Sequence, residues 1–151
     1  MEHAVLLLWL SSLGVSFFLF CYLTIKINHW ETMILLGFPS SCTPLFLKRG
    51  VWPYNFIRVP AAIWWIWYFD EVVFLFGGAI LLFVAWCICS KRGEKAGFKE
   101  YRQIILELIE FAETNEERVK LSEFINISDD ELKSMKEQKA IMLGWLPTTL
   151  K

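Results

Sequence analysis

The stretch from Pro60 to Arg92 limits what this chain can fold into more than any other. It reads PAAIWWIWYF, then Asp70 and Glu71, then VVFLFGGAILLFVAWCIC, then Ser90, Lys91 and Arg92. From Val72 to Cys89, 18 residues pass without a charge. At about 1.5 Å rise per residue that is roughly 27 Å of helix, close to the ~30 Å hydrocarbon thickness of a bilayer. Just upstream, Trp64, Trp65, Trp67, Tyr68 and Phe69 make the aromatic cluster expected where a helix meets the headgroups. Downstream, Lys91, Arg92, Lys95, Lys99 and Arg102 follow closely, and an excess of Lys and Arg marks the cytoplasmic side. The span therefore carries a direction, with Asp70 and Glu71 at the outer end and Lys91 and Arg92 at the inner end.

A second apolar stretch, Ala4 to Ile25, runs 22 residues without a charge and is long enough to cross. It differs from a signal peptide in three ways: no Lys or Arg precedes it, its apolar run is too long, and no small-x-small cleavage site follows. It reads as a retained helix. Composition supports a membrane region, with 56% hydrophobic residues, eight Trp and a mean hydropathy of +0.43. The charge is segregated: 8 charged residues precede Ser90 and 23 lie beyond it. Those beyond it are 11 basic and 12 acidic, a balance that argues against nucleic acid, which needs a basic face.

The segments then divide into a membrane region, 1–92, and an amphipathic helical tail, 93–151. The membrane region has spans at about 4–25 and 72–89, a loop at 26–59 and an interfacial aromatic segment at 60–69. The loop carries Pro39, Pro44 and Pro53, with Gly37 and Gly50, so no long helix is expected to cross it unbroken. Non-helical backbone survives at membrane depth only when protein or a water cavity shields it. A re-entrant or interfacial loop is the expectation. The expected fold is an all-α integral membrane protein: a two-helix transmembrane hairpin, this Pro/Gly-rich loop, and a small cytoplasmic helical tail. Two crossings put the N-terminus and the tail together in the cytoplasm. A third crossing at Glu31–Leu47, the less favoured reading, moves the N-terminus outside.

In the tail, Phe98, Tyr101, Ile104, Ile105, Leu108 and Phe111 recur at steps of three and four, the spacing of one helix face. A less regular piece follows from Glu116 to Ile125. Ser128-Asp129-Asp130-Glu131 is a capping box opening a helix through Leu132, Met135 and Met142, with Gly144 and Pro147 to end it. Phe98, Tyr101, Ile105, Leu108, Leu132 and Met135 are the expected docking face for a partner or the membrane surface.

Small residues in the spans mark places where helices approach closely: Ser12, Gly14 and Ser16 in the first, Gly77, Gly78 and Ala79 in the second. They either meet each other or meet another subunit. Asp70 and Glu71 are candidates for an ion site, because acids in a span often mark ion paths. The structural alternative is pairing with Arg58, Lys48 or Arg49. Lys48, Arg49 and Trp52, with Lys91 and Arg92, are candidate contacts for lipid headgroups.

Catalytic signatures are missing from the sequence: there is no G-x-S-x-G, Walker loop, dinucleotide fingerprint or H-E-x-x-H. The sequence pairs His3 and His29 neither with each other nor with an acid, and His29, in His29-Trp30-Glu31 at the end of the first span, reads as an interface anchor. Cys87-x-Cys89 beside Lys91 resembles a juxtamembrane acylation site only weakly. No cofactor or metal is expected. The expected role is a non-catalytic subunit of a larger membrane complex, in contact with lipid and other membrane subunits. The alternatives are a homo-oligomeric channel with Asp70 and Glu71 near its mouth, and a small regulatory or immunity-type protein that binds another membrane protein.

Overall fold

A computed structural model describes the backbone of residues 2–38, 52–67 and 72–143, with side chains for 7–8, 10–38, 58–65 and 76–143. Five helices make up these residues: α1 (Glu2–Leu35), α2 (Trp52–Trp67), α3 (Val72–Phe111), α4 (Asn115–Ile125) and α5 (Asp129–Met142). They fall into two compact units. The first holds α1 to Asn28, α2, and α3 to Gly93; the second holds α1 from His29, α3 from Glu94, α4 and α5.

α1 outlasts the expected span by ten residues, a correction to the loop drawn from residue 26. Lys26, Asn28, His29 and Glu31 end the apolar run, but none of them is a helix breaker. The stop comes at Gly37, whose φ of 89° few other residues adopt. There the Gly37 N–H donates to the Ile34 carbonyl (3.1 Å) and the Phe38 N–H to that of Met33 (3.0 Å), the two bonds of a Schellman cap. Phe38 then sets its ring on Tyr101, edge to face at 5.6 Å.

α2 starts with Pro53 in its first turn, where the missing N–H costs nothing, and continues through Pro60. Residues 52–59, expected as loop, and most of the interfacial segment 60–69 thus form one helix, with Pro60 inside it at the loss of one intrahelical bond. α3 carries a second correction. The expected span, 72–89, and the first tail helix are one helix of 40 residues, because Ser90-Lys91-Arg92-Gly93 is polar but holds no proline. α4 is capped by Thr114, whose hydroxyl accepts from the Glu117 N–H. α5 has the capping box read from the sequence: the Ser128 hydroxyl accepts from the Glu131 N–H (3.2 Å), and the Glu131 carboxylate from the Ser128 N–H (2.9 Å).

In the first unit, Phe20 of α1, Ala61 of α2 and Leu82 of α3 form a buried cluster, joined by Phe17, Cys21, Ala62, Trp65 and Ala85. Eight residues further along both long helices, the Asn28 amide donates to the Ser90 hydroxyl at 3.3 Å. α1 and α3 therefore run in the same direction. This overturns the two-helix hairpin, whose limbs must be antiparallel. The return limb is α2. Its Ala61 and Leu82 of α3 share one level, and only four residues separate Trp67 from Val72. A parallel α2 would leave roughly 24 Å to bridge along the axis, beyond the ~17 Å those links can reach. α2 thus runs against both long helices.

The second unit has its own core of Met33, Phe98, Tyr101, Ile105 and Leu132, flanked by Leu36, Phe38, Ile104, Ile109, Leu121, Ile125 and Ile127. The end of α1, the second half of α3 and both short helices all contribute.

Candidate functional site

The two long helices have different seams in the two units. In the first, buried hydroxyls turn back on their own helix. Ser16 Oγ donates to the Leu13 carbonyl (2.9 Å), and Thr24 Oγ1, fully buried, to that of Phe20 (2.8 Å). Asn28 donates both to the Thr24 carbonyl and to Ser90. Each hydroxyl satisfied within its helix leaves a small, apolar profile for a neighbour. The thiols of Cys21 and Cys89 meet across the same seam.

The seam of the second unit is tighter. A Cβ built on Gly97 stands 2.8 Å from Cβ and Cγ2 of Thr32 and 3.2 Å from the His29 carbonyl oxygen. One turn on, His29 Nε2 lies 2.5 Å from Glu100 Oε2, but the carboxylate is off the N–H axis and the contact is not a hydrogen bond. Two further ion pairs hold α5 to α3: Lys136 Nζ to Glu94 Oε1 and Arg102 Nη2 to Asp129 Oδ1, each 2.6 Å. Arg102 also donates to the Ile127 carbonyl at 3.0 Å. Tyr101 is buried in the same unit, in the core with Met33 and Leu132.

A His beside a carboxylate is the pairing of a general base. An open hollow of about 400 Å³ between α3 and α4, lined by Leu108, Phe111, Ala112, Glu117, Lys120 and Leu121, takes in neither His29 nor Glu100. Among the described residues, no three His, Cys, Asp or Glu stand together as metal ligands. The geometry is that of a helix clasp.

The sequence-derived candidates divide accordingly. Ser16 and Gly78 are buried, Ser12 and Ala79 half-buried, and Gly14 and Gly77 exposed. A Cβ at Gly14 or at Gly77 meets nothing within 4 Å, so these two glycines do not serve the contact between α1 and α3. Phe98, Tyr101, Ile105 and Leu132 correct the docking-face expectation, since all four are consumed in the second unit's own core. Leu108 and Met135 remain exposed. Lys91 and Arg92 are exposed, and Arg58 is half-buried and has a partner. Asp70, Glu71, Lys48 and Arg49 lie outside the described residues, as does the side chain of Trp52.

Thr32, Met33 and Gly97 escaped the sequence reading. The one local hint was Gly97 in the middle of an otherwise helical pattern, a position that needs a packing reason. Comparison with protein families, with curated proteins and with solved structures found no match.

Proposed function

We propose that the chain is a non-catalytic subunit of a larger membrane assembly, crossing the bilayer three times through α1, α2 and α3. Two helices are long and apolar enough to cross, Leu10–Leu35 and Phe76–Phe111, with mean hydropathies of 1.7 and 1.3. Only 33% and 22% of those windows are buried within the chain. The core helix of a water-soluble protein would be mostly buried, so this outward apolar surface supports lipid or protein as its surroundings. Parallel long helices favour a third crossing by α2 and separate the N-terminus from the tail.

The observation that carries the subunit reading is the open space at Gly14 and Gly77. Small residues on an apolar helix surface let a second helix come close, and no described residue of this chain occupies that space. The test is gentle extraction from native membranes, purification through a C-terminal tag and intact-complex mass with identification of each co-purifying chain. Partners at fixed ratio are expected, lost in Gly14→Leu or Gly77→Leu while membrane insertion persists. A lone monomer, or assembly untouched by both variants, sinks the reading. A pure homo-oligomer would transfer it to a channel.

A further inference from the structure

One outer face of α3 changes character within a turn. Leu81, Val84 and Ile88 lie on it in steps of three and four, each about half exposed (49%, 48% and 49%). The same face continues through Lys91 and Arg92, Lys95 and Lys99, all exposed. Two acids fall in this stretch, and the fold takes both to the other side: Glu94 is held by Lys136 and Glu100 lies against His29. The one further cation, Arg102, is held by Asp129. Among the described residues, none of the four outward cations has a carboxylate within 4.0 Å. An apolar strip thus leads without a break into an uncompensated cationic strip of roughly 12 Å.

We infer that the face of α3 from Lys91 to Lys99 binds the phosphate-bearing headgroups of anionic phospholipids whose acyl chains lie along Leu81, Val84 and Ile88. The inference rests on the membrane reading and adds a ligand class to it. Charge complementarity selects the headgroup, since zwitterionic lipid offers no net charge to four cations that no described carboxylate pairs. The adjoining apolar strip selects a lipid over free phosphate, because only a lipid places acyl chain and phosphate in that order.

The full-length protein is reconstituted into nanodiscs of phosphatidylcholine alone or of an equal mixture with phosphatidylglycerol. Lipids retained on release are then read by native mass spectrometry. Retention should favour phosphatidylglycerol and fall by about fivefold for each charge removed in the series Lys91→Gln, Arg92→Gln, Lys95→Gln and Lys99→Gln. Lys133→Gln with Lys139→Gln, on the exposed side of α5, should leave it unchanged. Single variants keep the test valid should the combined one fail to fold. Equal retention of both lipids, or identical retention in all single variants, overturns the inference. So does displacement of the lipid by inorganic phosphate at equal concentration, which would make the site one for free anions. Alkaline carbonate washing of native membranes separates the two failures: a protein released by it refutes the membrane reading itself, and one retained without lipid preference refutes only this site.

Discussion

A methyl group added at Gly97 would have to displace Thr32, which is fully buried and stiff at χ1. Gly97→Ala should therefore destabilise the second unit by about 1–3 kcal/mol, despite alanine's better helix propensity. Adding Thr32→Ala should recover part of that loss in thermal unfolding. A neutral Gly97→Ala would mean that the helices are further apart than described. At the start of α5, hydrogen bonds from the Ser128 N–H and hydroxyl hold the Glu131 carboxyl below its usual value of 4.5. Both bonds favour the charged form. Their contribution is present above the unfolded value and is lost as pH falls through the lowered folded one. Hydrogen exchange of the α5 amides should accelerate in that acid range. Ser128→Ala should cost about 1 kcal/mol and flatten the dependence.

Among the elements, the contact between α1 and α3 has a direct chemical test in Cys21 and Cys89, whose thiols meet in the first unit. With Cys42 and Cys87 replaced by Ser and a protease site placed between 39 and 51, mild oxidation should keep the two cleaved fragments together until reductant is added. Fragments that separate without reductant would refute the described seam. Leu132 shows how far the short helices depend on the long ones, since α5 is polar along most of its length and its one large buried residue is Leu132. Leu132→Ala should cost about 2–5 kcal/mol, read as a lower unfolding midpoint. α4 buries no residue and should be the first helix to exchange its amides.

For the molecule as a whole, the proposed three crossings predict an N-terminus and a tail on opposite sides of the membrane. A membrane-impermeant thiol label should reach a cysteine at residue 2 and one at residue 151 from different sides of sealed vesicles. Labelling of both from one side would restore an even number of crossings and remove α2 as a spanning limb.

The apolar stretches of α1 and α3 and the Ser128 capping box were legible in the residues themselves, whereas the stop of α1 at Gly37 rather than at residue 25 was not. The legible features depend on neighbours within a few positions: hydropathy along one run, a hydroxyl three residues from a carboxylate. The relative direction of the long helices was not legible either, because it rests on contacts such as Asn28 with Ser90, 62 residues apart, for which one sequence holds no local signal. The same distance hid the use of Phe98, Tyr101 and Ile105. A helical stripe says only that a face will be covered. Met33, at the end of a helix expected to have stopped by then, covers it here, and so turned an anticipated docking surface into a core. Local chemistry, then, was enough to mark the apolar cores of α1 and α3 and the start of α5, but not the full extent of α1 and α3 or the helix at Trp52–Trp67. Which face meets which, and in what direction, followed only from the fold, because that choice depends on how well distant side chains fit together.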